Sequence, residues 1–280
     1  MMSQAAPSSA PKEVIGLIAG NGVFPLLFAR AARERGLRVV AVAMRGETEE
    51  AIEDEVDALT WVRVGQIGRM IRAFRRAGIE KAAMAGGVRK TRFFEGIRPD
   101  WTAVKLLAQC ALRRDDGMLR LLASEYQRNG IEIVDSTLYM PDALAPAGAL
   151  TSQQPTLTEE RDLDYGLKIA RKIGKLDIGQ TVVVRDGAVV ALEAIEGTDA
   201  CIRRAGELTS GKGGVMVKVA KPDQDMRFDV PAIGTRTIDS LVSAGISVLG
   251  IEAGRTLMLE PQAIIDAAEA HGVCIVGLDR

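Results

Sequence analysis

Between residues 217 and 231 the chain reads Val217-Lys218-Val219-Ala220-Lys221-Pro222-Asp223-Gln224-Asp225-Met226-Arg227-Phe228-Asp229-Val230-Pro231. A strand here delivers two lysines, a proline fixes the exit, and carboxylates follow at 223, 225 and 229. Oxygen donors so spaced at a strand end suit a hard divalent cation such as Mg²⁺ or Mn²⁺. Such an ion polarises a phosphoryl oxygen and activates water. Glu193 and Glu196 stand where a hairpin's second strand should end, and supply further ligands or a base. The metal set expected is therefore Asp225, Asp223, Glu193 and Glu196. A solvated salt-bridged loop is the competing reading, and Pro222 and Pro231 weigh against it.

Three glycine-rich stretches invite a phosphate reading. Gly20-Asn21-Gly22 lies between a first strand and a first helix, where backbone N–H groups approach an anion at the positive helix end. The dinucleotide fingerprint is incomplete: Pro25 takes the third glycine position, and the second strand ends in Met44-Arg45 without an acidic ribose ligand. A nicotinamide enzyme is thereby disfavoured, while a phosphate contact and a plain tight turn both stay open. Gly86-Gly87 closes a later strand. Gly206 to Lys212 matches the spacing of a nucleotide-triphosphate loop, but Gly213 replaces the hydroxyl residue and a helix precedes it, so an ATPase is rejected. Lys212, followed by Gly213 and Gly214, still reads as a phosphate contact or a flexible turn.

The single histidine, His271, closes a helix before Gly272 and complements its dipole. Histidine-based triads and zinc deaminases are thus disfavoured. The chemistry falls to carboxylates, lysines and a metal ion. Cys110, Cys201 and Cys274 form no CxxC pair, which points to a reducing compartment.

These groups need a scaffold. The first half alternates strands and helices: Val14–Ala19, Phe24–Arg35, Leu37–Ala43, Glu49–Ala58, Leu59–Val64, a helix to Ala77, then Lys81–Ala85 and Ile131–Val134. That rhythm predicts a Rossmann-like parallel sheet with helices on both faces over 13–139, after a tail at 1–12. Residues 140–155 carry three prolines without periodicity and read as a linker. From 156 to 280 a mixed α/β catalytic domain is expected. Thr156 and Glu159 have capping-box spacing, and Asp186-Gly187 marks a hairpin between Thr181–Arg185 and Ala188–Ala194.

Charge is unevenly spread. Residues 63–128 hold about fifteen Lys/Arg against about six Asp/Glu, in a chain whose formal net charge is −1. A phosphate-rich ligand, nucleic acid, an anionic membrane surface and merely solvated helix faces all fit. From Val88 to Trp101, Arg89, Lys90, Arg92 and Arg98 mix with Phe93, Phe94 and Trp101, an interfacial or acyl-contacting composition. No uncharged apolar run reaches the ~20 residues of a membrane span, and residues 1–12 lack signal-peptide features. A cytoplasmic location with peripheral membrane contact is expected.

The segments Gly16–Gly22, Glu196-Gly197-Thr198-Asp199, Lys218–Pro222, Arg227–Pro231, Gly234, Thr237-Ile238 and Ile251-Glu252-Ala253-Gly254 resemble one family. It is the UDP-2,3-diacylglucosamine pyrophosphatase of the LpxI type, from lipid A biosynthesis in Gram-negative bacteria, and the resemblance runs from Val14 to Leu278. It implies hydrolysis of UDP-2,3-diacylglucosamine to UMP and 2,3-diacylglucosamine 1-phosphate with a divalent cation. On that basis Gly20, Asn21, Gly22, Gln66, Arg69, Gly86 and Gly87, with Thr198, Gly213 and Gly214, are expected to hold the substrate. Asp225 is the expected principal carboxylate, and Lys212 and Lys221 offset charge on the phosphoryl oxygens. The implied partners are the acylated UDP-sugar and, transiently, the cytoplasmic membrane face, with no nucleic acid; a homo-oligomer is compatible with the sequence. A nucleotide-sugar sensor without turnover and a Rossmann-type oxidoreductase are the competing readings.

Overall fold

In a computed structural model, residues 13–89, 99–113, 118–222, 224–228 and 230–279 are described. The chain divides into two compact units between Tyr139 and Met140.

The first unit runs β1 (Val14–Ala19), α1 (Phe24–Glu34), β2 (Arg38–Met44), α2 (Ile52–Glu55), β3 (Ala58–Val62), α3 (Ile67–Arg76), β4 (Lys81–Ala85), α4 (Trp101–Arg113), α5 (Met118–Arg128) and β5 (Glu132–Val134). Its five strands are all parallel in the order β3-β2-β1-β4-β5. Helices flank this sheet, so its central strands read as unbroken apolar runs; Leu17, Val39, Ala41 and Ala83 are fully buried. The expected helix over 49–58 shrinks to the single turn of α2. Strand order reverses between β1 and β4, and in such sheets ligands gather outside the carboxyl ends of the strands at this point.

The second unit begins with a 3₁₀ turn at Pro141–Ala143. Then follow β6 (Gly148–Ala149), α6 (Leu157–Lys175), β7 (Thr181–Arg185), β8 (Ala188–Leu192), α7 (Thr198–Thr209), β9 (Val215–Lys218), β10 (Ala232–Ile233), α8 (Thr235–Ser243), β11 (Val248–Glu252), β12 (Leu257–Met258), α9 (Pro261–His271) and β13 (Cys274–Leu278). The main sheet is mixed, in the order β6-β13-β11-β9-β7-β8, with β9, β11 and β13 parallel. Strand alternation splits its core in two. Val182, Val184 and Val217 face α6, while Val183, Met216 and Leu249 pack with Ile202, Leu241 and Ile264 of α7, α8 and α9.

Local chemistry explains the boundaries. Thr156 and Glu159 form the capping box of α6. Asp186 and Gly187 both adopt positive φ, 50° and 75°, as a two-residue hairpin of this hand requires. Buried Asp162 accepts both turn N–H groups at 2.8 Å. Residues 140–155 are not a linker. Ala145 is buried, its N–H donates to Thr256 O at 2.9 Å, Leu150 N–H donates to Ile275 O at 2.9 Å, and Gly148–Ala149 pair with β13. Proline removes donors from this segment without preventing the remaining backbone groups from joining the sheet. No helix among the described residues is long and apolar enough to cross a membrane.

Candidate active site

In the first unit, four loops follow the carboxyl ends of β1, β2, β3 and β4. The β1 and β4 loops touch through backbone. Gly20 N–H donates to Ala85 O and Asn21 N–H to Gly87 O, both at 2.8 Å. A Cβ on Gly20 would lie 2.6 Å from the Gly86 carbonyl oxygen, and Gly86 itself has φ 78°. Only glycine permits this crossing. Helix α1 opens straight after Gly22 with no acid in its first turn, so its positive end is uncompensated by a carboxylate there. Gly20, Asn21, Gly22, Gly86 and Gly87 are thus brought together as one backbone cradle.

Glu47, a residue the sequence reading passes over, fixes that cradle. It is 3% exposed. It accepts from Asn21 Nδ2 at 3.3 Å, Arg89 N at 3.0 Å and Arg89 Nε at 3.4 Å. Burial works to raise the Glu47 pKa, but the Arg89 N–H, the Asn21 amide and the Arg89 charge outweigh it and hold the carboxyl below its ordinary value. The discoverable signal is an acid just beyond the second strand, where dinucleotide-binding sheets keep one. Gln66 and Arg69 open α3 at the same sheet edge. The Gln66 side chain accepts from Arg63 N at 2.9 Å, and Arg69 N–H is taken by Asp100 Oδ2 at 3.2 Å.

In the second unit, the carboxyl end of β9 gathers a side-chain cluster. Lys218 Nζ donates to Thr198 Oγ1 at 3.2 Å, and that hydroxyl donates to Glu193 Oε1 at 2.9 Å. Lys218 and Glu193 are each 7% exposed, and Glu193 Oε2 is buried with no hydrogen-bond partner among the described residues. Glu252, at the end of β11, accepts the Ala220 N–H at 3.0 Å and so anchors the exit of the loop. Lys221 pairs with Asp177, whose backbone has positive φ. Asp225 is held bidentately by Arg227, Nε to Oδ1 at 2.8 Å and Nη2 to Oδ2 at 2.6 Å. The Arg227 guanidinium also lies over the Phe228 ring, 4.8 Å from its centroid.

Other expectations separate. Lys212, Gly213 and Gly214 precede β9, whereas Lys221 and Asp225 follow it, so the strand carries the two groups to opposite edges of the sheet. Arg185, at the far end of antiparallel β7, binds the Lys212 carbonyl, and Gly245 packs against Gly211, which fixes this loop at the amino edge. Glu196 is turned aside to Arg204 at 2.8 Å. Its own backbone N–H, then Arg204, lowers its pKa. Asp223 lies outside the described residues, as do Asp229, Lys90, Arg92, Phe93, Phe94 and Arg98. Among the described residues no three His, Cys, Asp or Glu side chains group so as to hold a metal ion. The described carboxylates Asp225, Glu193 and Glu196 therefore do not make a ligand set by themselves.

Cysteine chemistry finds no support at the buried positions: burial pushes the Cys201 thiol up to about 12 and raises that of Cys274. His271 ends α9 before Gly272, whose φ of 69° closes the helix.

Sequence models of the LpxI N-terminal domain and the LpxI C-terminal domain match residues 14–143 and 146–276. The chain belongs to the LpxI family. A known LpxI relative, the UDP-2,3-diacylglucosamine pyrophosphatase LpxI of Caulobacter vibrioides, is 34% identical over 275 residues, covering 95% of this chain and 97% of the relative. A solved structure, the biotin carboxylase subunit of pyruvate carboxylase, is 12% identical over 71% of this chain and 33% of that one; its TM-score of 0.25 is too low to inform the LpxI fold.

Proposed function

We propose that this protein hydrolyses the pyrophosphate of UDP-2,3-diacylglucosamine, yielding UMP and 2,3-diacylglucosamine 1-phosphate. The observation that carries the reading is identity to the Caulobacter vibrioides pyrophosphatase over both units, across 97% of that relative. In the reaction a water oxygen bonds to one phosphorus, the P–O bridge breaks, and the bridging oxygen departs on the other product. In the cradle, the Gly20 and Asn21 N–H groups tie the β1 and β4 loops together, and Gly22, Gly86 and Gly87 offer their N–H groups to phosphate oxygens beside the positive end of α1. Gln66 and Arg69 extend that contact through their side chains.

Asp225 orients the attacking water and takes its proton. The bidentate pair with Arg227 gives this role a trigger. A phosphate arriving at the loop competes for the guanidinium and releases the carboxylate for its catalytic work. Lys221 and Lys218 offset the charge that develops on the phosphoryl oxygens, and Thr198 ties Lys218 to Glu193. A divalent cation, Mg²⁺ or Mn²⁺, belongs to the same proposal; when bound it neutralises pyrophosphate charge. The enzyme works in the cytoplasm, drawing its acylated substrate from the adjoining membrane face.

The test is UMP release from UDP-2,3-diacylglucosamine by purified protein, with Mg²⁺ and then with chelator. Release that chelator stops is the expected result. Binding without release in either condition makes the protein a nucleotide-sugar sensor instead.

A further inference from the structure

Glu47 lies three residues beyond β2, beside the point where strand order reverses. A buried carboxylate is costly unless its charge is met, so its surroundings are informative. Its partners include Asn21 Nδ2 from the β1 loop and the N–H and guanidinium of Arg89 from the β4 loop. The turn that carries it is clipped on both sides. Thr48 Oγ1 donates to Ala19 O at 2.7 Å, Met44 N–H donates to Thr48 Oγ1 at 2.9 Å, and Arg89 Nη2 donates to Gly46 O at 2.7 Å.

In dinucleotide-binding sheets an acid at this place reads the ribose hydroxyls of the ligand. Here the same place holds an acid turned toward donors of its own chain. We infer that Glu47 is a positioning residue for the nucleotide end of the substrate: it sets the spacing of the Gly20–Gly22 and Gly86–Gly87 loops and so the direction of their N–H groups. The inference rests on the function proposed above. The charge matters as well as the shape. Glutamine retains an acceptor for Asn21 and the Arg89 N–H but loses the attraction that holds the guanidinium. Because Glu47 acts on the loops and not on the reacting phosphorus, its loss weakens binding and leaves the chemical step alone.

The experiment compares wild type, Glu47→Gln and Glu47→Asp, with Glu159→Gln as a control for a structural carboxylate elsewhere. KM and kcat for UMP release, UDP affinity by titration calorimetry, and melting temperature are measured. For Glu47→Gln, KM rises about tenfold and UDP affinity falls by a similar factor, while kcat stays within about threefold. Glu47→Asp recovers part of the loss. Glu159→Gln lowers the melting temperature without moving KM. Unchanged KM and UDP affinity in Glu47→Gln overturns the inference, as does a fall in kcat alone. Where Glu47→Gln does not fold, Arg89→Met, which keeps the backbone N–H and removes the guanidinium, must show the same KM-selective loss at smaller size. A wild type that releases no UMP and binds no UDP defeats the proposed function itself. An active wild type matched by Glu47→Gln defeats only the role of Glu47.

Discussion

Two glycine-rich loops of this chain have nearly the same composition and opposite surroundings. The Gly20–Gly22 loop leaves a parallel strand at its carboxyl end, enters a helix at its positive end, and is braced by a buried acid. The Gly211–Gly214 loop leaves a helix at its carboxyl end and enters a strand at its amino end. Its positive φ values, 68°, 90° and 146° at Gly211, Gly213 and Gly214, serve a tight passage beside Gly245 and Val184. Glycine therefore lets backbone pass backbone in two different settings: the first loop crosses the β4 loop beside the positive end of a helix, and the second passes Gly245 at the amino end of a strand. What distinguishes them is which end of a strand and which end of a helix they join.

Four measurements break or sharpen that contrast. The largest effect is expected at the side-chain cluster that follows β9. Asp225→Ala should lower kcat for UMP release by roughly 10²–10⁴ while UDP binding and melting temperature stay close to wild type. Retention of near-normal turnover would remove Asp225 from its role. Next, Gly20→Ala forces a Cβ to 2.6 Å from the Gly86 carbonyl oxygen. Urea unfolding should show a loss of about 1–3 kcal/mol, with UDP affinity falling as well. Wild-type stability in that variant would mean that the crossing is far looser than described.

Acid should also separate the two loops. The folded Glu47 pKa lies below the ordinary 4.5, so its contribution to stability is present above 4.5 and is lost as pH falls through the lower folded value. Hydrogen exchange of the Asn21 amide should therefore accelerate in that window, after correction for intrinsic rate, whereas exchange of the Lys212 amide should not. Parallel acceleration at both sites would indicate global acid unfolding. The smallest effect is expected at Lys212 itself: Lys212→Ala should keep kcat/KM within about twofold and stability within ~0.5 kcal/mol of wild type. A crippled Lys212→Ala would restore that residue to the catalytic set.

Elements with strong local signals are legible in the sequence. Val14–Ala19 and Lys81–Ala85 fall as their apolar runs indicate, and Asp186-Gly187 and the Thr156–Glu159 box act where their chemistry says they should. Positions that depend on topology are not legible in the same way. Lys212 and Lys221 are close along the chain, yet the intervening strand sends them to opposite sheet edges, and strand order cannot be read from spacing. Glu47 hides for a related reason. Arg45 and Gly46 separate it from the end of β2, and its partners Asn21 and Arg89 come from distant stretches. The Lys218–Thr198–Glu193 chain likewise joins three elements that only the fold makes neighbours. Buried Glu252 parallels Glu47 in the second unit, bracing a strand-end loop from the adjacent strand.

The short pairing of Gly148–Ala149 with β13 has a consequence for anyone dividing the protein. Without it, β13 would be an outermost strand with open N–H and C=O groups, ready to recruit a strand from another molecule. A fragment begun at Met140 keeps this guard, and one begun at Thr156 discards it. The longer fragment should stay monodisperse under conditions where the shorter one forms aggregates.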